Sequence, residues 1–429
     1  MNILKEVFKH EVFPALGCTE PIAVAYAASA AGELLHDDSL QDICITVDPG
    51  VYKNGIAVTV PNTNGKRGNL IAGVLGALIK RPKLKMEILK HTSDELLCQA
   101  DALIQDKKAR LICDNSKKRL YIEVVLHTES ESARAIIKYG HTNVVLLEKN
   151  GVTVFRKEQD EKHEGAMEYK KILQQMKIVE LLDLIETMDE DDYAYLQLGI
   201  DMNLTISEKG QKLQKVGYYL ADLAEKGYLV RDVFASSKIM TASAADARMA
   251  GVSCPVMASG GSGNQGVVAI LLPYNVGKHF KVKEHDILKS VALSHLLNSY
   301  IKCYIGDLSP VCGCAIAAGV GATAAIVYQL AGKNIDKITL AINNLLSDLG
   351  GMLCDGAKGG CALKVVSATD SAIRSAYMAM NNHGINAIEG FVGRTVEETI
   401  LNFSKISDIG MAKVDDTMIK IMMEKSLTV

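Results

Sequence analysis

The spacing of apolar and polar positions divides this chain into two unlike parts. Before residue 40 the apolar positions recur at helical intervals, and an Ala-rich helix is predicted over residues 22–35. Between residues 42 and 151 short β-rich runs alternate with helices, whereas from Ile172 onward nearly every segment has the helical period. The pattern predicts an α+β protein, with an N-terminal mixed α/β domain followed by a mainly α-helical C-terminal domain.

The N-terminal part contains the predicted strands. Residues 42–50 and 54–62 predict a hairpin-like pair around a Pro-Gly turn, and residues 83–89 predict a further strand. One helix is predicted over residues 68–79, and another follows Ser93, which is a favourable N-cap. Strand-rich segments are then predicted over residues 109–114, 119–128, 132–139 and 142–151.

A highly charged segment, FRKEQDEKHEGAMEYKK, has no apolar period and predicts a linker or a solvated helix start. It separates a predicted mixed domain over residues 1–158, which carries a GCTEP turn, from an all-α domain over residues 159–429. The second domain is expected to hold roughly nine helices, a SGGSGNQG loop and four paired cysteines.

Composition narrows the class of partner. Hydrophobic residues make up 48% and charged residues 23%, which is ordinary for a soluble globular protein. The formal net charge of −3 and the pI near 6.4 argue against nucleic acid or an anionic membrane as the partner. The charged N-terminus lacks the apolar region of a signal peptide, so the ten cysteines predict thiols of a cytoplasmic protein rather than disulfides.

One uncharged segment, residues 311–331, is long enough to cross a bilayer. It contains two cysteines and several small residues, and it lacks a flanking aromatic belt or basic cluster. We therefore expect a buried helix and no membrane association.

Three glycine-rich turns precede predicted helices, at residues 15–21, 257–266 and 355–361. Such a turn exposes backbone N–H groups and the positive end of the helix dipole, so SGGSGNQG suits an anionic group such as a carboxylate or phosphate. Ser259, Ser262 and Asn264 would add side-chain donors. The loop lacks the GK[ST] of a P-loop and follows no βαβ strand, and it could equally be a plain turn between helices.

Cys18 lies in GCTEP at the predicted start of a helix. A helix N-terminus lowers the pKa of a thiol, which would make Cys18 a base or nucleophile at neutral pH, although the neighbouring Glu20 would partly oppose this. The alternative is a small buried residue that caps the turn. Cys44, Cys98 and Cys113 lie on faces with apolar alternation and are assigned to the core.

The remaining chemistry is carried by two cysteine pairs, Cys312 with Cys314 and Cys354 with Cys361. Gathered thiolates hold soft metals or iron–sulfur clusters: four would close a structural zinc site, whereas three would leave one iron of a [4Fe–4S] cluster open to substrate. Asp355 and Lys358 lie in the same loop and could position a carboxylate or an amino group. Scattered core cysteines are the alternative.

The runs SPVCGCAIAAGVGA, GMLCDGAKGGCALKV and MASGGSGNQG together resemble the L-cysteine desulfidase family, which is related to the iron–sulfur L-serine dehydratases. The resemblance covers essentially the whole chain. It implies a [4Fe–4S] enzyme that eliminates hydrogen sulfide from L-cysteine and yields pyruvate and ammonia.

The resemblance also implies roles for individual residues. Cys354 and Cys361 would be cluster ligands, and an ungapped register with the serine dehydratase pattern favours Cys312 as the third ligand, with Cys314 left open. Cys18 would be the α-proton base, in the place where serine dehydratases carry a His-containing SHT turn, and this departure favours cysteine over serine as substrate. The substrate-binding residues would be Ser259, Gly260, Ser262, Asn264 and Lys358.

Three alternative functions are compatible with the same residues. The chain could be a serine dehydratase-type deaminase, or a pyridoxal-phosphate lyase with SGGSGNQG on the phosphate and Lys358 or Lys364 as the Schiff base. It could also be a non-catalytic thiol or cluster sensor. The expected partner is a small-molecule substrate, L-cysteine, and a homodimer is compatible with the sequence.

Overall fold

The computed structural model describes residues 1–36, 39–117, 119–157, 161–306 and 309–426. As predicted, an N-terminal region built on a β-sheet is followed by a region of packed helices. The predicted domain boundary between residues 158 and 159 lies outside the described residues.

The strands form one large and one very small sheet. In order, strands β1 to β8 span Pro14–Leu16, Asp42–Val47, Ala109–Cys113, Tyr121–His127, Ser132–Lys138, Val144–Lys149, Val152–Arg156 and Pro255–Met257. The large sheet has the order β3-β2-β4-β5-β6-β7, in which β2 and β3 run parallel and the other neighbours run antiparallel. In the small sheet, β1 pairs antiparallel with β8, although the two strands are far apart in the sequence.

Helices account for the rest of the regular structure. Helices α1 to α5, in the N-terminal region, span Ile3–Glu11, Thr19–Gly32, Pro49–Gly55, Asn69–Ile79 and Asp94–Gln105. Helices α6 to α17 span Glu161–Gln175, Ile178–Leu184, Glu190–Gln211, Val216–Glu225, Val233–Met249, Gly263–His279, Glu284–Ile305, Ala317–Ala331, Ile335–Leu349, Cys361–Met380, Val396–Lys405 and Val414–Ser426. The helical region thus holds more helices than the roughly nine predicted, because long helical patterns are broken at residues 176–177 and 212–215.

The predicted hairpin over residues 42–62 is wrong in its second half. Residues 49–55 form α3, because the Asp48 side chain accepts hydrogen bonds from the backbone N–H groups of Gly50 at 2.8 Å and Val51 at 3.2 Å. Pro49 at the first helical position supports the same start. Strand β2 pairs instead with β3 and β4, which come from later in the chain.

Residues 83–89 are not a strand either. They lie in two short 3₁₀ segments within Pro82–His91, separated by a break at Lys85 (φ 46°, ψ −119°), and the apolar residues Met86, Ile88 and Leu89 are buried. The Ser93 cap is confirmed, since its hydroxyl accepts from the N–H of Leu96 at 3.3 Å at the start of α5. The four later strand predictions are confirmed by β3 to β6, and β7 was missed.

The apolar core has two large clusters, one in the helical region and one around the large sheet. Each end of the chain packs in the cluster of the region that is distant from it in sequence. Helix α1 packs with the helical region through residues such as Leu4 and Val7, although it precedes the sheet in sequence. Conversely, Ile419 of α17 is buried in the cluster built around the large sheet.

The uncharged segment 311–331 forms a loop and α13, in which every residue from Ala317 to Tyr328 is buried. Within the described ranges, no helix combines the length and the apolar run needed to cross a bilayer. The assignment of three further cysteines to the core is not supported: Cys98 is exposed, and Cys44 and Cys113 are only half-buried.

Candidate active site

The short β1–β8 pair brings two of the glycine-rich turns together. The GCTEP turn continues directly from β1, and the loop at residues 257–266 continues from β8. Two further backbone hydrogen bonds extend the pairing, from Ala258 N–H to the Phe13 carbonyl at 2.9 Å and from Gly261 N–H to the Glu11 carbonyl at 3.0 Å. Turns that are more than 230 residues apart in sequence are therefore fixed against each other.

Gly17 sets the start of α2. Its φ of 72° lies in the left-handed region, and a Cβ atom there would lie 2.6 Å from Cγ of Pro61. The sharp turn at Gly17 makes the next residue, Cys18, the N-cap of α2, and the Cys18 side chain is buried.

The two cysteine loops are joined by an antiparallel bridge between Val311 and Leu353. The Cys312 N–H donates to the Met352 carbonyl at 2.8 Å, and the Cys354 N–H donates to the Pro310 carbonyl at 2.7 Å. Cysteines that are 42 residues apart in sequence are thereby held side by side.

Cys361 completes the group from the first residue of α15, where its N–H donates to the Lys358 carbonyl at 2.9 Å. Its thiol donates to the Gly356 carbonyl at 3.5 Å. Gly356 has a φ of +84°, and a Cβ atom there would lie 2.1 Å from the carbonyl oxygen of Lys53 in α3. The loop therefore packs directly against the N-terminal region.

These elements enclose a cavity of about 90 Å³, to which all three glycine-rich turns contribute. Among the residues predicted from the sequence as base, cluster ligands or substrate-binding groups of a desulfidase, those that line it are Cys18, Ser262, Asn264, Cys312, Cys314, Cys354 and Cys361. Cys18 and Cys361 also pack in one small apolar cluster with Met249. The predicted base and the predicted cluster ligands thus share one space.

Three predicted substrate-binding residues lie outside that lining. The Ser259 hydroxyl is buried against α12, where it shares a hydrogen bond with Nδ1 of His295 at 2.8 Å and accepts one from the Asn298 amide at 2.8 Å. Gly260 offers its carbonyl to the ammonium group of Lys302. These contacts fix the shape of the loop, and the roles of Ser259 and Gly260 in substrate binding stay predictions.

Lys358 is the third residue outside the lining. Its ammonium group is paired with the Asp355 carboxylate. Lys364 does line the cavity, but its ammonium group is held by the same carboxylate and by the Leu353 carbonyl at 2.6 Å. Both lysines therefore stabilise the cysteine loop.

The environment of Cys18 reverses the predicted shift of its pKa. Burial and the negative charge of Glu20 raise the pKa of the Cys18 thiol well above its ordinary value, and the nearby Arg248 only partly offsets them. The thiol donates to Glu20 Oε2 at 2.9 Å. Burial would also raise the pKa of Glu20, but the charge of His141 and the hydrogen bonds from Cys18 and Thr19 lower it.

The neighbouring thiols Cys312 and Cys314 are not equivalent. A hydrogen bond from Cys314 lowers the pKa of Cys312, with the Ala315 N–H and the charge of Lys364 acting in the same direction. The same hydrogen bond, together with burial, raises the pKa of Cys314. Of this pair, Cys312 is therefore favoured as the thiolate.

The thiols on the cavity wall are compatible with an iron–sulfur cluster. A cluster is several atoms wide and each thiolate binds a different iron, so its ligands surround a cavity rather than a point. All four paired cysteines line this cavity, which is enough for the three thiolates of such a cluster. Among the described residues, no three Cys, His, Asp or Glu side chains converge as ligands of one metal ion.

Arg248 is a cavity residue that the sequence reasoning missed. It lies near the end of α10, and its guanidinium group is buried against both the GCTEP turn and the start of α11. The available signal was weak: Arg248 is the only basic residue in the small-residue run MTASAADARMAG, which shortly precedes the glycine-rich loop.

Comparison with known proteins identifies the family. The model of the serine dehydratase alpha chain family matches residues 83–420. The chain belongs to this family. Within this serine dehydratase alpha chain family member, Arg248 and the four paired cysteines lie in the matched region, whereas Cys18 and Glu20 precede it.

Relatives extend the similarity over the full length. A UPF0597 protein of Geobacter sulfurreducens is 57% identical over 428 residues, covering 100% of both chains. One of Elusimicrobium minutum is 52% identical over 425 residues, covering 99% of this chain and 100% of its own. One of Clostridium tetani is 38% identical over 424 residues, covering 99% of each.

Proposed function

We propose that this chain is a lyase that eliminates hydrogen sulfide from L-cysteine, with a [4Fe–4S] cluster held by Cys312, Cys354 and Cys361. Membership of the serine dehydratase alpha chain family supports an elimination reaction on a small β-substituted amino acid. The observation that carries the proposal is that Cys18 and the three cluster cysteines line one cavity. When bound, the cluster supplies Lewis-acid chemistry for a soft sulfur leaving group.

The start of α11 orients the substrate. Ser262 is the N-cap of this 17-residue helix, and Asn264 lies in its first turn, with both residues on the cavity wall. A helix N-terminus attracts anions through its exposed N–H groups and its dipole. This part of the site therefore suits the substrate carboxylate.

Cys18 and Glu20 form the proton-handling pair. The thiol proton of Cys18 points to Glu20 Oε2 at 2.9 Å, and a further hydrogen bond from the Asn54 amide at 3.2 Å holds the other oxygen, Oε1. The raised pKa of Cys18 and the lowered pKa of Glu20 hold that proton on sulfur, so the Cys18 thiolate forms by loss of the proton to solvent and then takes the α-proton. The raised pKa of Cys18 makes its thiolate a stronger base once formed.

The overall reaction balances without an oxidant or reductant. The Cα–H and Cβ–S bonds break, a carbon–carbon double bond forms, and the sulfur leaves as hydrogen sulfide. The remaining aminoacrylate tautomerises to an imine, and addition of water gives pyruvate and ammonia.

L-Serine is the second candidate substrate, because the family description itself names a serine dehydratase. The two candidates differ in the leaving group, which is water for serine and hydrogen sulfide for cysteine. The ratio of kcat/KM for the two amino acids, measured on the same preparation, decides between them.

The pyridoxal-phosphate alternative has less support from the geometry. A Schiff-base lysine needs an accessible amine in the cavity, but Lys358 lies outside the lining and the Lys364 ammonium is bound to Asp355 and Leu353. Product formation distinguishes the sensor alternative from a lyase, because a sensor would bind L-cysteine without releasing pyruvate.

The test is to purify the protein without oxygen, record its visible absorption and iron content, and then add L-cysteine. We expect a brown iron-containing protein that releases sulfide and pyruvate in equal amounts. An iron-containing protein that binds cysteine without product would instead indicate a sensor. A colourless protein that stays inert after cluster reconstitution would contradict the proposal.

A further inference from the structure

Arg248 carries a buried charge that has no ion-pair partner among the described residues. The residue is 2% exposed, and removing a guanidinium from water is costly unless a partner compensates. Among the described residues, no carboxylate forms an ion pair with it. The Glu20 carboxylate lines the same cavity and acts on Arg248 through its charge, but it forms no ion-pair contact with the guanidinium.

The guanidinium is nevertheless held in a fixed orientation. One terminal nitrogen donates to the Gly17 carbonyl at 2.6 Å, and the other donates to the Asn264 side-chain oxygen. Gly263 makes the room for it, because a Cβ atom at that position would lie 2.4 Å from Cζ of Arg248. Arg248 thus links the turn that presents Cys18 to the turn that starts α11.

The N–H groups of Arg248 that make no hydrogen bond within the chain indicate which ligand the site can bind. The Arg248 Nε is buried and has no hydrogen-bond partner. A guanidinium has five N–H donors in a planar fork, and this fork matches the two oxygens of a carboxylate. Ser262 and the N–H groups at the start of α11 lie on the same wall of the cavity and favour the same charge.

We propose that Arg248 binds the carboxylate of the substrate and so restricts the site to ligands with an ionised carboxylate. This inference rests on the proposed function and deepens it. The carboxylate would accept from the unpartnered N–H groups of the guanidinium and place a negative charge in direct contact with it. Esters, amides and simple amines of the same shape would leave Arg248 buried without an anion.

The experiment compares two thiols that cannot undergo the reaction because they lack an amino group. These are 3-mercaptopropionate and its neutral amide, 3-mercaptopropionamide, titrated into the cluster-containing protein by calorimetry without oxygen. Turnover of L-cysteine is measured separately, so failure of the proposed function leaves the binding comparison readable. The variants are Arg248→Met, Arg248→Lys and Gly263→Ala, with Arg374→Met as a matched control on the exposed face of α15.

We expect the unaltered protein to bind the carboxylate compound about 10- to 100-fold more tightly than the amide, since a hydrogen bond to a charged group contributes about 1.5–3 kcal/mol. Arg248→Met should bring this ratio close to one without changing the affinity for the amide. Arg248→Lys should retain part of the ratio, because it keeps the charge and loses the fork. Arg374→Met should leave the ratio unchanged.

Gly263→Ala keeps the charge and displaces the guanidinium, so it should lower the ratio even if Arg248→Met does not fold. The inference is overturned if the unaltered protein shows no preference for the carboxylate, or if Arg248→Met retains the preference. It is also overturned if Arg248→Met loses its iron and visible absorption, because Arg248 would then serve the charge of the cluster.

Discussion

Cys18 and Glu20 illustrate how a single contact changes the chemistry expected from a sequence. The helix N-terminus at Cys18 favours a thiolate, yet the structure buries the thiol beside a carboxylate at 2.9 Å and raises its pKa. The pair therefore keeps its proton on sulfur, because the pKa of Cys18 is raised and that of Glu20 is lowered. Cys18 can act as a base only after its thiol proton has left.

Replacing Cys18 by Ala should lower kcat for L-cysteine by about 10²–10⁴-fold, the usual contribution of a general base. Iron content and visible absorption should be unchanged, because Cys18 is not a cluster ligand in this assignment. Cys98→Ala, which removes an exposed thiol on α5, is the control and should keep full activity. Full turnover by Cys18→Ala would eliminate the base role.

The third cluster ligand is tested by a pair of substitutions. Cys312→Ser should remove the iron, because the hydrogen bond from Cys314 lowers the pKa of Cys312 and stabilises its thiolate. Cys314→Ser should retain most of the iron, since a hydroxyl can still donate to Cys312. Iron per chain after purification without oxygen measures both, and the reverse order of iron loss would assign Cys314 instead.

At this scale the sequence predicted which thiols would gather, since paired cysteines in glycine-rich turns are a local pattern. It could not predict the direction of Ser259, because that hydroxyl is oriented by His295 and Asn298 on a separate helix. Arg248 was missed for the same reason, since its partners Gly17 and Asn264 meet it only through the fold.

At the scale of elements, the cysteine loops depend on backbone contacts rather than on the thiols. The Val311–Leu353 bridge holds the loops together, and Gly356 lets the second loop pass within van der Waals distance of α3. The arrangement of thiols is therefore set by hydrogen bonds and by one left-handed glycine.

Gly356→Ala should destabilise the protein and reduce its iron content. The positive φ costs about 1–2 kcal/mol for a residue with a Cβ atom, and contact with the Lys53 carbonyl adds ~1–3 kcal/mol. Gly359→Ala in the same loop is the matched control, because a Cβ atom there would meet nothing within 4 Å. Denaturant unfolding and iron content measure the effect, and equal behaviour of the two variants would refute this account of the loop.

The elements themselves were largely predictable where local signals agreed. The Ser93 cap and the helical period from residue 172 gave correct helices, with two long runs divided further. The errors at residues 54–62 and 83–89 arose where β-rich composition competed with helix starts at Pro49 and Pro82. Whether such a segment becomes a strand depends on a partner strand, which local sequence does not contain.

At the scale of the whole molecule, one buried histidine links stability to pH. His295 is fully buried against Ser259 and Phe8, and burial lowers its pKa to about 3. In the unfolded chain the same side chain has a pKa near 6.5. Below about pH 6.5 the unfolded state therefore binds one more proton than the folded state.

Stability should consequently fall as the pH is lowered from about 6.5 to about 3, with His295 contributing up to ~1.4 kcal/mol per pH unit. His295→Gln should show a shallower decline over this window, whatever its stability at neutral pH. His91→Gln, at an exposed position, should keep the original slope. Chemical denaturation at several pH values gives the slopes, and identical slopes for the two variants would contradict the prediction.

The packing of α1 in the helical region and of α17 in the sheet region has a consequence for biosynthesis. A ribosome releases α1 first, but the helices that cover its apolar face are made only after residue 160. The sheet region must in turn wait for α17, whose Asp415 pairs with the buried Lys53 at 2.6 Å. Domains usually fold in the order of their synthesis, whereas here α1 must wait for the helical region and the sheet region must wait for α17. A nascent chain of this protein is therefore expected to expose the apolar face of α1 until the later helices are made, and to complete the sheet region last.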